Sequence, residues 1–94
     1  MRVTGFIWLE AVVQKLIWKH SVQTDEVAEL FQNRPRIQFV EKGHRKDENV
    51  YSALGKTDAG RFLTCYFINK PDGRALVLSA RDMSKTEKRL YGKK

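Results

Sequence analysis

Residues 61–81 read RFLTCYFIN-KPDG-RALVLSAR, and this stretch decides the fold. Arg61–Asn69 and Arg74–Arg81 are short runs of aromatic and branched side chains, separated by the turn signal Lys70-Pro71-Asp72-Gly73. A connection of this length joins neighbouring antiparallel strands. The first run is apolar on both faces, which predicts a strand in the interior of a sheet, with one face under helices.

Two further strands precede this hairpin along the chain. Arg36–Glu41 and Val50–Lys56 show the same period of two, and turn signals bound them at Lys42-Gly43 and at residues 57–60. Because the connections between neighbours are short, the four strands are expected to form an antiparallel meander.

Helical patterns flank the four strands on both sides. Residues 9–20 repeat apolar side chains at helical spacing, which predicts one buried face that carries Leu9, Val13, Leu16, Ile17 and His20. A second helix is expected to have Thr24 as its N-cap and to end at Asn33 and Pro35.

The C-terminal segment predicts a third helix. Ser84-Lys85-Thr86-Glu87 has the sequence of a capping box, and Gly92 is suited to the C-terminal end. The predicted fold is therefore α+β, in a single domain over residues 1–94. It has two N-terminal helices, a four-stranded antiparallel meander sheet and a C-terminal helix.

Composition limits the classes of function. The 94 residues carry 18 Lys and Arg against 11 Asp and Glu, a formal net charge of +7. The single Cys65 excludes an internal disulfide, and no zinc-ligand spacing occurs. No apolar run approaches the roughly 20 residues of a membrane span, so we expect a cytoplasmic protein without membrane contact. The positive charge favours a polyanion or an acidic protein as partner.

Strand pairing predicts where basic side chains meet. Counting back from the turn at 70–73 brings Arg61 level with Arg81. The turn at 57–60 brings Lys56 opposite Arg61, and Arg36 begins its strand towards the same end of the sheet. We call this group the arginine rim (Arg36, Lys56, Arg61 and Arg81). Guanidinium groups hold phosphate oxygens in pairs, so the rim is suited to clamp a phosphate.

The same arginines allow a purely structural interpretation. Arg61 and Arg81 would then pair with Asp58, Asp82 or Glu87 and would tie the last helix to the sheet. Both interpretations of the arginine rim are open from sequence alone.

Two histidines are candidates for proton transfer, because imidazole titrates near neutrality. His44 lies beside Arg45 in loop 42–49, which Tyr51 follows, and pairing puts this loop at the opposite end of the sheet. The alternative is a flexible, solvated loop. His20 ends the first helix after Lys19, where it either caps helix carbonyls or faces the arginines.

Other chemistries lack their residues in this sequence. There is no glycine-rich phosphate loop, the strands carry no paired carboxylates for two metal ions, and Cys65 lies in an apolar strand. We expect neither a cofactor nor a metal ion. If the protein cleaves a phosphodiester, basic residues would activate the 2′-hydroxyl, which restricts the substrate to RNA.

Seven short motifs resemble, in order, the BrnT family of ribonuclease toxins from bacterial type II toxin–antitoxin modules. They are FIWLEA at 6–11, KHSV at 19–22, EVAELF at 26–31, VYSALG at 50–55, AGRFL at 59–63, LSAR at 78–81 and EKRLY at 87–91. The resemblance implies a fold similar to RelE-type microbial ribonucleases and metal-independent RNA cleavage that halts translation. It also implies a BrnA-type antitoxin, which binds the toxin and represses the operon, so that DNA is contacted only through the antitoxin.

The resemblance also carries site residues over by motif. It implies catalytic roles for Arg61, Arg81, His20, His44 and Tyr51. We assign RNA binding to basic residues at the rim, the helix ends and the loop, namely Lys19, Arg36, Arg45, Lys56 and Lys85. The chain departs from the family at Ile7 and Leu9, where acidic residues are usual, and at Leu16 and Ser21, where Asn and Gly are usual.

Two classes of function follow from the sequence. The first is a ribonuclease toxin whose arginine rim grips the scissile phosphate. The second is a non-enzymatic module, a diverged inactive family member, that binds RNA or a partner through the same charge.

Overall fold

The computed structural model describes residues 1–93, which form three helices and a five-stranded mixed sheet. The elements in chain order are β1 (Gly5–Ile7), α1 (Glu10–His20), α2 (Thr24–Gln32), β2 (Arg36–Glu41), β3 (Val50–Lys56), β4 (Phe62–Asn69), β5 (Arg74–Asp82) and α3 (Lys85–Gly92). The strands lie in the order β1-β5-β4-β3-β2. The predicted α+β class and the three helices are confirmed.

The prediction of four antiparallel strands was wrong, because a fifth strand joins the sheet at its edge. β1 pairs with β5 in parallel, with Phe6 beside Ala75 and Ile7 beside Leu76. A strand of three residues is too short to show an alternating pattern, so the sequence carries no strand signal there. The other four strands do form the predicted antiparallel meander, and β4 lies inside the sheet as predicted.

The register between β4 and β5 also differs from the prediction. Asn69 pairs with Ala75 instead of Arg74, and a β-bulge shifts the register again between Tyr66 and Phe67. As a result Arg81 pairs with Thr64, three residues from Arg61. The predicted direct alignment of Arg61 with Arg81 is therefore wrong, although both residues remain at the same end of the sheet.

Two apolar layers cover opposite faces of the sheet. On one face the helices α1 and α2 pack over a cluster of buried side chains that includes Leu16, Val22, Val27, Leu30 and Phe67. On the other face the shorter helix α3 covers Leu54, with Met83 and Tyr91 buried beside it. The sheet therefore separates two chemical environments, one under α1 and α2 and one beside α3.

The buried face of α1 differs from the predicted one. Leu16 is buried, and Val12 packs against the same cluster, but Leu9 and Ile17 are 48% and 53% exposed. The expectation that Leu9 and Ile17 are buried with Leu16 was therefore wrong. α1 rests on β5 through a narrower stripe than its apolar sequence suggests, because only one edge of the helix meets the sheet.

The predicted capping box of α3 is confirmed, but the N-cap of α2 is Gln23 and not Thr24, which is the first residue of the helix. Gln23 takes this position because its backbone is extended and its N–H donates to the Glu26 carboxylate at 3.0 Å. The Ser84 hydroxyl accepts a hydrogen bond from the Glu87 N–H at 3.2 Å, and Glu87 accepts one from the Ser84 N–H at 2.8 Å, which completes the capping box. Cys65 is fully buried, and burial raises the pKa of its thiol to about 12. No helix within residues 1–93 is long and apolar enough to cross a membrane.

Removal of a central aromatic side chain is expected to lower the stability strongly. Phe67 is fully buried and contacts both Phe31 and Tyr51, with ring centroids 5.1 and 5.9 Å away. We predict that Phe67→Ala lowers the free energy of unfolding by about 3–5 kcal/mol, measured by urea denaturation. Phe39→Ala is the control, because Phe39 is 59% exposed. Equal losses in the two variants would contradict this assignment of the core.

Candidate active site

Asp82, the last residue of β5, lies in contact with both arginines of the predicted clamp. The Arg61 Nε donates to a carboxylate oxygen of Asp82 at 2.8 Å. Arg81 donates from Nη1 to the backbone carbonyl of Asp82 at 3.1 Å. Side chains of consecutive strand residues point to opposite faces, so the two guanidinium groups approach this end of the sheet from opposite sides.

Arg61 holds the junction of α1, α2 and β5 together. Its Nη1 donates to the Ser21 carbonyl at 2.7 Å, its Nη2 donates to the His20 carbonyl at 2.9 Å, and both Glu26 oxygens lie at 3.4 Å. The chain turns there through Ser21, which has a left-handed φ of 54°. Carbonyls at a helix C-terminus attract cations, so Arg61 caps α1 while it pairs with Asp82.

The charges around Asp82 favour its ionised form. The hydrogen bond from Arg61 lowers the pKa of Asp82, and the nearby charges of Lys88 and His20 lower it further. His20 is half-buried at the end of α1 and lies near enough to Asp82 for its charge to act on that carboxylate. We call His20, Arg61, Arg81, Asp82 and Glu87 the Asp82 cluster.

Arg81 forms a two-pronged ion pair with α3. Its Nη1 and Nη2 donate to the two carboxylate oxygens of Glu87 at 2.7 and 2.9 Å. Nη2 also donates to the Tyr66 hydroxyl at 3.0 Å, and Thr64 donates to Glu87 at 3.0 Å. The hydrogen bonds from Arg81 lower the pKa of Glu87 to about 2. Because a carboxylate and a phosphate present similar oxygens to a guanidinium, Glu87 occupies a position suited to an anion.

Two lysines flank one aromatic ring beside this cluster. The Nζ atoms of Lys56 and Lys88 lie 5.6 and 5.8 Å from the centre of the Phe62 ring. Within residues 1–93 neither ammonium group lies within 4.0 Å of a carboxylate oxygen. Two ammonium groups beside one ring raise the positive potential at this end of the sheet, which favours an anion there.

The other residues assigned to RNA binding at this end of the sheet differ in their contacts. Arg36 donates to the Leu90 carbonyl at 3.2 Å, which ties β2 to the end of α3. Lys85 is exposed in the first turn of α3, and Lys19 is exposed in the last turn of α1. The arginine rim therefore exists as a location, but Arg36, Arg61 and Arg81 all have partners within the protein.

His44, Arg45 and Tyr51 lie at the other end of the sheet. His44 and Arg45 line a cavity of about 240 Å³ above Val50 and Ile68. Tyr51 is half-buried against Phe67, on the face that α1 and α2 cover. Tyr51 and Lys56 are separated by five residues of β3, or about 16 Å. The structure thus does not bring His44, Arg45 and Tyr51 together with His20, Arg61 and Arg81.

One protein-family model matches most of the chain. The family model described as "Ribonuclease toxin, BrnT, of type II toxin-antitoxin system" matches residues 8–87. The chain belongs to the BrnT family. All five residues of the Asp82 cluster lie inside the matched range, and membership of a type II toxin family implies an antitoxin partner. No curated protein matches the chain.

Sequence reasoning missed several polar residues of this BrnT-family site. Tyr66 and Thr64 occupy alternate positions of β4, on the face that Arg81 shares, but an apolar run hides them. Their alternation with buried Leu63 and Cys65 is the signal that could have revealed them. Glu26 reaches Arg61 from α2, and only the packing of the helices brings these two residues together.

The ion pair between Arg81 and Glu87 predicts a dependence of stability on pH. The pKa of Glu87 is about 2 in the folded chain, below its ordinary value of 4.5, so the pair stabilises the fold fully above pH 4.5. This contribution is lost as the pH falls towards 2. We predict that wild type exceeds Glu87→Gln in unfolding free energy at pH 7, and that the difference shrinks below pH 4.5. Urea denaturation measures it, and a difference that stays constant down to pH 2.5 would contradict the assignment.

Proposed function

We propose that this BrnT-family chain is a metal-independent endoribonuclease that cleaves RNA at the Asp82 cluster. The observation that carries the proposal is the convergence of two guanidinium groups and a histidine on one exposed strand end, inside the range that matches a ribonuclease family. Guanidinium groups stabilise the charge that builds up on a phosphate under attack. We expect the fold to resemble that of RelE-type ribonucleases, and the cleavage to halt translation in the cytoplasm.

The reaction is an exchange of two bonds at phosphorus. The 2′-hydroxyl loses its proton, its oxygen bonds to the adjacent phosphorus, and the bond from phosphorus to the 5′-oxygen breaks. The leaving oxygen takes up a proton, so the products are a 2′,3′-cyclic phosphate and a 5′-hydroxyl. No oxidant or second substrate is needed. The protein must move two protons and must stabilise a doubly charged phosphorane.

Arg81 and His20 are the residues to which we assign this chemistry. Arg81 exchanges Glu87 for phosphate oxygens, because its two-pronged contact has the geometry that a phosphate would use. His20 transfers one of the two protons, since imidazole exchanges protons near neutral pH. Arg61 already serves four acceptors, so we assign it the positioning of His20 and Asp82, not direct contact with the phosphate.

The remaining predicted residues have roles at a distance from the reacting phosphate. Lys56 and Lys85, with Arg36 and Lys19, give this end of the sheet its basic character and would contact the RNA backbone. Arg45 would contact the strand further along the sheet. We assign no proton transfer to His44 or Tyr51, because both lie at the other end of the sheet from the Asp82 cluster.

A non-enzymatic function is the second candidate, and one observation favours it. Arg61 and Arg81 are both paired with carboxylates, as the structural interpretation of the arginine rim expects. In that case the cluster ties α1 and α3 to the sheet, and the basic surface binds RNA or a BrnA-type antitoxin without cleavage. Whether RNA is cleaved in the absence of metal ions separates the two candidates.

Cleavage assays test the assignment of catalytic residues. We predict that the purified protein fragments RNA in EDTA and leaves 2′,3′-cyclic phosphate ends. His20→Ala and Arg81→Ala should each lower the rate at least about 100-fold. His44→Ala is the matched control and should keep the wild-type rate. Undiminished cleavage by His20→Ala and Arg81→Ala, or its loss in His44→Ala, would refute this site.

Arg61→Ala tests positioning as distinct from catalysis. We expect a lower kcat with little change in KM, because Arg61 positions His20 and Asp82 without contacting the phosphate. Circular dichroism of Arg61→Ala checks that the fold is intact. A lower free energy of unfolding with an unchanged kcat would indicate a merely structural role for Arg61.

The lysine pair predicts a specific salt dependence of RNA binding. We expect Lys56→Gln/Lys88→Gln to reduce the slope of log affinity against log salt by about 1.4, which corresponds to two phosphate contacts with single-stranded RNA. A fully 2′-O-methylated oligonucleotide is the probe, because it lacks the attacking hydroxyl. Arg2→Gln/Lys15→Gln removes the same charge elsewhere and serves as control. Equal slopes for the two double variants would contradict the phosphate contact.

A further inference from the structure

A polar cavity lies at the opposite end of the sheet from the Asp82 cluster. Its volume is about 380 Å³, and its walls include Asp47, Asn49, Tyr51, Asn69, Lys70 and Pro71. We call this space and these six residues the amide cavity, after its two asparagine side chains. Binding sites for small molecules usually measure roughly 300–1,000 Å³, so the amide cavity has room for one ligand.

Strand pairing brings the two asparagine side chains together. Tyr51 pairs with Phe67 across β3 and β4, and the same register continued to the end of the strands puts Asn49 opposite Asn69. Directly opposed residues have Cβ atoms about 4.5–5.5 Å apart, and their side chains point to one face. Asn49, Tyr51 and Asn69 therefore share one face of the sheet, where they border the cavity.

The hydrogen-bonding groups of the two amides are only partly used inside the protein. The Oδ1 of Asn69 is buried, and within residues 1–93 no donor reaches it. The Oδ1 of Asn49 accepts the Gly43 N–H at 3.3 Å, which orients its Nδ2 group as a donor, and the residues that the structure describes offer that group no acceptor. Native proteins keep few buried polar atoms unpaired. An acceptor on Asn69 and a donor on Asn49 are therefore left for a ligand.

The charged groups of the amide cavity argue against an anion as the ligand. Lys70 forms an ion pair with the Glu48 carboxylate, so its charge is already balanced. Asp47 is exposed and, among residues 1–93, has no nitrogen of a basic side chain within 4.0 Å. An ionised carboxylate only accepts hydrogen bonds, so the ligand must present donors to Asp47. An uncharged group with donors on one edge fits this requirement, whereas a phosphate would be repelled.

A guanine base presents the matching pattern of donors and acceptors. Its Watson–Crick edge has two adjacent donors, N1–H and N2–H₂, next to the O6 acceptor. The donors match the Asp47 carboxylate and the Oδ1 of Asn69, and O6 matches the Nδ2 of Asn49. Adenine and cytosine have an acceptor at the ring nitrogen where guanine has N1–H, and uracil has one donor between two carbonyl groups. Tyr51 and Pro71 add rings against which a planar base can pack.

The neighbouring loop suits the phosphate of a nucleotide. Arg45 and Lys46 directly precede Asp47 in the chain, and both are exposed. Positive charge therefore lies next to the carboxylate that faces the base, on the outside of the cavity. Asn49 and Lys56 are seven positions apart along β3, or about 23 Å, so a base held here belongs to a different nucleotide from the one at the Asp82 cluster.

We propose that the amide cavity binds a guanine base. Asp47 accepts from N1–H and N2–H₂, Asn69 accepts the second N2–H, and Asn49 donates to O6. The base comes from a guanosine of RNA or from a free guanine nucleotide, which share this chemistry. The link to RNA rests on the proposed function, whereas the binding of the base does not.

Calorimetric titration of the purified chain with guanosine 5′-monophosphate tests the amide cavity. We expect at least about 10-fold tighter binding than for adenosine 5′-monophosphate, as two matched hydrogen bonds to one base give. Asp47→Asn should abolish this preference, and Asn69→Ala should weaken binding about 10-fold. Asp25→Asn removes the same charge from exposed α2 surface and should change neither value. Equal affinities of wild type for the two nucleotides, or an undiminished preference in Asp47→Asn, would overturn the proposal.

The side-chain amide signals in an NMR titration locate the bound base. Those of Asn49 and Asn69 should shift when guanosine 5′-monophosphate is added. Asn33 is the internal control, because its Nδ2 donates to the Lys56 carbonyl at 2.9 Å, at the other end of the sheet. A shift of the Asn33 signals alone would place the nucleotide outside the amide cavity and would overturn the proposal.

Two oligonucleotides distinguish the sources of the base. Both are fully 2′-O-methylated strands of uridines, with one guanosine in the first and one adenosine in the second. Tighter binding of the first strand, lost in Asp47→Asn, supports a subsite for RNA, whereas equal binding overturns that link and leaves the free nucleotide as ligand. If the chain binds guanosine 5′-monophosphate but cleaves no RNA, the proposed function fails and the amide cavity stands. If it cleaves RNA but binds both nucleotides equally, the cavity fails and the function stands.

Discussion

The guanidinium group of Arg61 is the contact on which this end of the molecule depends. It joins the last carbonyls of α1, the Glu26 carboxylate of α2 and the Asp82 carboxylate of β5. A single exposed ion pair contributes little stability, about 0–1 kcal/mol. Arg61 differs because it is only 27% exposed and serves several acceptors at once. Its removal would leave helix carbonyls and two carboxylates without their shared donor, and the position of His20 would no longer be defined.

How far the sequence predicts this fold depends on the length of each signal. The strands of six to nine residues and the capping box of α3 have local patterns that tertiary contacts do not override. β1 has only three residues and gains its hydrogen bonds from β5, so its existence depends on a distant partner. The β-bulge near Tyr66 is likewise set by how the strands pack and twist, which no pattern within one strand encodes.

For the candidate site, the sequence predicts where the arginines lie but not what they contact. Turn positions predict that Arg61 and Arg81 lie at one end of the sheet, because short connections leave little freedom in which strand ends meet. They do not predict which face each arginine takes, since one residue of register reverses the face. Turn positions also do not predict which side chains the two arginines contact. Glu26 and Tyr66 come from different elements and meet the arginines only when the helices dock.

The carboxylates that pair with the arginines explain how several cations can gather stably at one end of the sheet. Cations gathered at one strand end repel each other unless anions lie among them. Asp82 and Glu87 supply those anions, and the lowered pKa of each carboxyl shows that it is held in its charged form. Their surroundings differ. Asp82 is two-thirds exposed and bound to Arg61, whereas Glu87 belongs to α3, which meets the sheet over a small area. Under the proposed function, a phosphate at Arg81 competes with Glu87, so that occupancy of Arg81 would be coupled to the position of α3.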